Sequence, residues 1–205
     1  MENRSLKEFA MMSASASPVP GGGGVSAAVG ALSSALAEMV TNLTIGKKKY
    51  LEYTDELNCL KDELSVLREE LLDCINKDAE AFAPLAEAYK MSKDDPDYDT
   101  RMEECLKKAA DSPYQILLKT VKIIDIDERL AIIGSKISVS DAATSVMLAH
   151  GVLYGAYINI LVNTNMMKDK DYAQKLNNEA GQLLDEYSNK ALRIFNDIKE
   201  RLNNG

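Results

Sequence analysis

The sequence predicts an all-α protein, a bundle of about six helices, some of them long and kinked. Three observations carry this. Apolar residues recur at helical spacing along nearly the whole chain. Leu57, Leu60, Leu64, Leu67, Leu71 and Cys74 step alternately by three and four, which makes a heptad-like seam facing partner helices. The only β-leaning stretches, 121–126 and 131–139, have neither a hairpin signal nor a partner strand, and read as buried helix ends or connectors.

Helix-sized segments are expected over about 6–13, 25–45, 50–92, 98–124, 140–166 and 172–202. Pro84 and Pro113 fall inside helical patterns and are expected to kink or break them. Ser92 to Tyr98 is charged and contains a proline, so it reads as a turn. No repeat or composition break divides the 205 residues, and 1–205 is expected to be one domain.

Hydrophobic residues make up 46% and charged residues 27%, as in a globular protein with a real core. The net charge of −8 argues against non-specific nucleic-acid binding, though not against a small anionic ligand. The opening Met1 to Ser5 is polar with no signal-peptide core after it, and no uninterrupted apolar run reaches about 18 residues. No membrane association is expected, and the expected compartment is the cytosol. Cys59, Cys74 and Cys105 lie in helical patterns and read as reduced core or near-core thiols. With one histidine, His150, they offer no zinc constellation, and no metal is expected.

Four regions carry candidate chemistry. Gly21, Gly22, Gly23 and Gly24 follow Pro18-Val-Pro and feed a helix. Their backbone can take conformations closed to other residues, and the unpaired N–H groups of a helix start can cradle an anion. The alternative is a flexible turn. Continuing the leucine seam brings its next step to Asp78, a carboxylate on a buried stripe, where burial would raise its pKa. The alternative is that the seam has drifted and Asp78 lies at its wet edge. Ser138 and Asp141 read either as a capping box or as the start of a polar track through Asp141, Ser145, Asn159 and Asn163. Lys47, Lys48 and Lys49 read either as the solvated end of the first long helix or as a clamp for an anionic tail. His150, nine residues from Asp141, points to the other side of that helix and is not expected to form a dyad with it.

In order along the chain, Pro18-Val-Pro-Gly-Gly-Gly-Gly-Val-Ser26, Met39-Val-Thr-Asn-Leu-Thr-Ile-Gly-Lys-Lys-Lys-Tyr50, Asp78-Ala-Glu-Ala-Phe82, Gly134-Ser-Lys-Ile-Ser-Val-Ser-Asp141 and Gly155-Ala-Tyr-Ile-Asn159 resemble successive motifs of the cyclodeaminase/cyclohydrolase family. This family unites the cyclodeaminase half of formiminotransferase-cyclodeaminase with bacterial methenyltetrahydrofolate cyclohydrolases. The resemblance covers essentially the whole chain and implies a helical bundle working as a homodimer on a tetrahydrofolate substrate, without metal or other cofactor. Cyclodeaminases commonly carry Gly-Asn-x-Asn where this chain has Ser135 and Ile137, which tilts the expectation toward hydrolysis. Under that reading Asp141 and Asp78 are the catalytic candidates. Gly21 to Gly24, Ser26, Asn42, Lys47, Lys48, Lys49, Ser140 and Asn159 are the substrate-binding ones. A silent folate- or anion-binding module and a helical adaptor are the competing classes.

Overall fold

Ser5 opens the first helix with a full capping box: its hydroxyl accepts the Glu8 N–H, and the Glu8 carboxylate accepts the Ser5 N–H. From there the computed structural model, which describes residues 4–204, is helical in every regular element and contains no strand among the described residues. The order is α1 (Leu6–Ser13), α2 (Gly22–Asn42), α3 (Thr54–Ala88), α4 (Tyr98–Ile133), α5 (Val139–Met166) and α6 (Lys170–Asn204). Short 3₁₀ turns at Lys48–Tyr53 and Lys136–Ser138 precede α3 and α5. The expected domain of 1–205 includes Met1 to Asn3 and Gly205, which lie outside the described residues.

α5 runs through the middle, packed against α2, α4 and α6, while α3 lies across α2 and α4. The leucine seam does what its spacing requires: Leu57, Leu64, Leu67, Leu71 and Cys74 are all buried. Each fully buried leucine contributes about 1.5–3 kcal/mol relative to exposure. Small residues let α2 and α5 approach closely. A Cβ on Gly155 would collide with the Ser26 hydroxyl, and one on Gly30 would press on Leu71 at 3.3 Å.

Several expectations need correction. Neither proline ends its helix. Pro113 lacks the N–H that would have bonded the Ala109 carbonyl one turn earlier, and Asn163 of α5 supplies the missing donor, its Nδ2 lying 3.2 Å from that oxygen. The valine- and isoleucine-rich 121–133 stretch is the interior of α4, which runs nine residues past the expected end. Ser138 and Asp141 form no capping box: Ser138 stands at the N-cap without a side-chain cap bond, and its hydroxyl donates to the Ser135 carbonyl. Lys47 to Lys49 do not end a helix, because α2 stops at Asn42 and Gly46, at φ +80°, turns the chain before them. Cys59 is exposed, whereas Cys74 and Cys105 are buried.

By length and composition alone, Gly22–Asn42 and Lys136–Met166 are apolar enough to cross a membrane. Their most apolar windows are 56% and 39% buried within the bundle, so α5 in particular keeps an apolar face outside the core.

Candidate active site

The glycine run is the first turn of α2 rather than a loose loop. Gly21 is the N-cap at φ −96°, Gly22 to Gly24 are helical, and none of the four has positive φ. Glycine is needed here for space, not for an unusual backbone. A methyl on Gly23 would sit 2.6 Å from Asp78 Cγ and 2.7 Å from its Oδ2, and one on Gly22 would sit 2.8 Å from Asn159 Nδ2. No side chain of α2 caps its own N-terminus. Asp78, arriving from α3, takes that place by accepting the Gly24 N–H.

Asp78 is half-buried, between the buried stripe and the wet edge that the leucine seam left open. Burial raises its carboxyl above the ordinary range, and the hydrogen bonds from Ser112 and from the Gly24 amide pull it partly back. The Ser112 hydroxyl donates to Asp78 Oδ1 at 3.2 Å. The cleft beside the carboxylate has a volume of about 230 Å³. Gly21 to Gly23 and Asp78 form its polar end, Asn159 and Asn163 one wall, and Phe82, Leu85, Tyr89 and Pro113 an apolar sleeve. Both asparagine amides donate to carbonyls of the preceding turn, Asn159 to Gly155 at 2.7 Å and Asn163 to Asn159 at 2.9 Å. Those bonds fix each Nδ2, leaving the amide oxygens as acceptors. Among the described residues no cationic side chain lines the cleft. A comparable depression of about 270 Å³ between α3 and α4, lined by Leu60, Glu63, Lys122, Asp125 and Ile126, is a more open groove on the outer surface.

The remaining expected site residues gather elsewhere. Eighteen residues separate Asp141 from Asn159, about 27 Å along α5 at 1.5 Å per residue. Asp141 therefore stands at the opposite end of the bundle from the cleft. With it lies Lys47, whose ammonium donates to the Ser135 hydroxyl at 2.8 Å. The Ser135 N–H donates in turn to Thr44, and the Lys136 N–H to the Tyr50 hydroxyl. Lys48, Lys49, Asn42 and Ser140 are exposed at that same end. Ser26 does not reach the cleft; it is buried against Gly155 between α2 and α5. His150 bonds Ser188 at 3.0 Å, away from both clusters. Among the described residues no group of three or more His, Cys, Asp or Glu side chains is placed to hold a metal ion.

Contributors that the sequence did not single out for the site include Ser112, Tyr89, Leu85 and Pro113. Ser112 and Tyr89 carried no local signal. Pro113 did, as a proline inside a helical pattern, but that pattern points to a kink or break and not to a site.

A glycine-started helix seated on a half-buried carboxylate, beside a cleft with an apolar sleeve, is the apparatus of a small-molecule enzyme. The chain belongs to the formiminotransferase-cyclodeaminase family, whose characteristic domain it matches over residues 5–182. It is 34% identical to the methenyltetrahydrofolate cyclohydrolase of Methylorubrum extorquens, over 98% of this chain and 99% of that protein. It is 28% identical to the mouse formimidoyltransferase-cyclodeaminase, over 96% of this chain but 37% of that longer protein. The fold matches the crystal structure of formiminotetrahydrofolate cyclodeaminase from Thermotoga maritima with a TM-score of 0.85 at 31% identity, covering 96% of this chain and 98% of that one.

Proposed function

We propose that this protein is a methenyltetrahydrofolate cyclohydrolase in which Asp78 moves the proton, working as a single helical domain without a cofactor. The observation that carries the reading is Asp78 itself, a half-buried carboxylate on the glycine start of α2 at the polar end of an acceptor-lined cleft. 5,10-Methenyltetrahydrofolate is an amidinium cation, and a cleft offering a carboxylate, amide oxygens and no cation suits it. Water adds to the carbon between N5 and N10 while the carboxylate takes the water's proton. Asp78 returns that proton to N5 as the C–N5 bond breaks and the hydroxyl loses its own, leaving 10-formyltetrahydrofolate and one proton in solution. Purified protein added to 5,10-methenyltetrahydrofolate should speed the fall of its near-ultraviolet absorbance. No acceleration over buffer removes this reading, and ammonia release from formiminotetrahydrofolate would replace it with the cyclodeaminase.

The two separated clusters suit a homodimer. Leu32 and Met39 on α2, Leu43 at its C-cap, and Tyr154, Ile158, Val162 and Met166 on α5 are exposed. On each helix this stripe lies about 100° behind the residues touching the other helix, so on antiparallel neighbours both stripes face the same side. The face is about 30 Å long and two helices wide, roughly 600 Å² per copy, close to the ~800 Å² of a standard interface. The only charged residues on the two helices are Glu38, which pairs with Arg68, and Asp141, besides His150. A second copy packed antiparallel on this face, rather than a membrane, brings its Lys47 and Asp141 end beside this copy's cleft. Lys47 to Lys49 then supply the cations the cleft lacks for the glutamate tail, and Asp141 joins Asp78. Asp78→Asn and Asp141→Asn should each be nearly inactive alone. Co-expressed, they should recover about a quarter of wild-type activity, because half the dimers are mixed and hold one intact composite site. No recovery, or a monomer in light scattering at micromolar concentration, removes the shared site.

A further inference from the structure

Asp127, in the middle of α4, has no exposed surface and takes no part in the cleft. Its Oδ2 lies 2.9 Å from the Ser145 hydroxyl of α5, and its Oδ1 has no hydrogen-bond partner. Ser145 Oγ is also 2.9 Å from the Ser33 carbonyl of α2, and Ser33 Oγ is 2.9 Å from the Ser145 carbonyl. All three side chains are completely buried.

Counting protons shows what this junction requires. The Ser33 hydroxyl proton goes to the Ser145 carbonyl. The Ser145 hydroxyl has one proton and two acceptors at equal distance; the Ser33 carbonyl already accepts an amide of its own helix, so an ionised Asp127 would take that proton, and making both contacts at once needs a further one. A carboxylic acid at Asp127 supplies it: Oδ2–H donates to Ser145 Oγ, and Ser145 donates to the Ser33 carbonyl. The same proton removes a charge that would otherwise be fully buried with a single hydrogen bond and an unpartnered Oδ1, a costly arrangement.

We infer that Asp127 is held as the neutral acid, and that its proton pins α2, α4 and α5 together and so positions the three helices that carry Gly22, Ser112 and Asn159. The charges around it do not offset this. Asp125 and Glu128 of α4 pair with Lys190 and Arg193 of α6, and Arg129 of α4 pairs with Glu56 of α3. On α2 the only charge is Glu38, bound to Arg68. On α5 there are Asp141, four residues before Ser145, and His150, bound to Ser188. Burial is the leading cause that drives the Asp127 carboxyl well above its ordinary range, with the Ser145 hydrogen bond opposing it.

The sign follows from linkage. A carboxyl whose folded pKa lies above its unfolded one stabilises the fold fully at low pH, and that contribution is lost as pH rises through the folded value. Between the two values one proton is taken up on folding, so the folding equilibrium falls tenfold per pH unit on this account. Asp127→Asn, which keeps a donor toward Ser145, should abolish that slope, melt higher than wild type at alkaline pH and keep the wild-type KM. Asp127→Leu, which cannot donate, should raise KM at every pH in whatever fraction folds. Infrared spectra of wild-type protein in heavy water at neutral pH should show a protonated-carboxyl C=O band that persists in Asp78→Asn. No such band in wild type overturns the inference without needing any variant to fold. An unchanged pH slope in Asp127→Asn overturns it as well. Neither outcome bears on whether the protein is a cyclohydrolase, which wild-type turnover decides separately.

Discussion

Adding one methyl at Gly23 tests the seating of α2 on Asp78 more directly than changing the carboxylate. In Gly23→Ala the new Cβ would stand 2.6 Å from Asp78 Cγ, about 1 Å closer than carbon atoms normally pack. One side has to yield. The helix cannot retreat freely, because Gly24 next to it lies so close to Pro20 that a Cβ added there would meet it at 3.2 Å, and the Gly24 amide bonds Asp78. Overpacking of this kind costs about 1–3 kcal/mol, and losing the bonds from Gly24 and Ser112 adds about 1–3 kcal/mol. The alanine's helix propensity returns up to about 1 kcal/mol. The net loss of about 1–6 kcal/mol corresponds to a fall in Tm of roughly 2–4 °C per kcal/mol. A 1 Å displacement of the proton-transfer group should also lower kcat on the order of a hundredfold. Gly181→Ala on α6 is the matched control, since a Cβ there makes only ordinary contact with Tyr157 at 3.5 Å or more and should stabilise by about 0.5–1 kcal/mol. The assays are thermal melting and the absorbance decay of methenyltetrahydrofolate. Wild-type Tm and kcat in Gly23→Ala would show that Asp78 is not seated on the glycine turn.

Asp78→Asn should lower kcat by about 10²–10⁴-fold with Tm at neutral pH held or raised. The sign follows from burial: the folded carboxyl is raised, so its stabilising contribution is lost as pH climbs through the folded value. In wild type, activity should grow with pH along a limb above the ordinary carboxylate range, and that limb should be missing in Asp78→Asn; a limb that persists there refutes the assignment. Chelators should leave turnover unchanged, and a loss in EDTA that zinc restores would overturn a metal-free mechanism.

Much of the fold was legible because helices declare themselves through short-range periodicity. The six segments read from the sequence correspond to α1 to α6 with shifts of a few residues at most ends. The larger error, ending α4 at 124, came from giving weight to the β-branched residues of 121–133, whose propensity yields to burial between α3, α5 and α6. Asp78 was found because it stands on the leucine seam. Ile116, Thr120, Ile123, Asp127 and Leu130 alternate in the same way along α4, so the same reasoning would have found Asp127. The distance between the cleft and Asp141 was also implicit, since helix rise turns eighteen residues into length. The Asp78–Ser112 bond joins residues 34 apart on different helices, and only packing reveals it.

Pro113 and Asn163 have a consequence for how this sequence can change. The proline leaves a carbonyl on α4 without its usual donor, and an amide from α5, 54 residues further on, completes it. Replacing Asn163 alone strands a carbonyl behind the cleft, whereas replacing Pro113 alone restores the helix's own N–H and makes the amide compete for an oxygen already served. The two positions are free to drift only together, and a change at one should be tolerated best where the other has already moved. Two positions 50 residues apart thus share a single vocabulary at this point. An inherited covariance between 113 and 163 would record the contact even where every neighbouring side chain had been replaced.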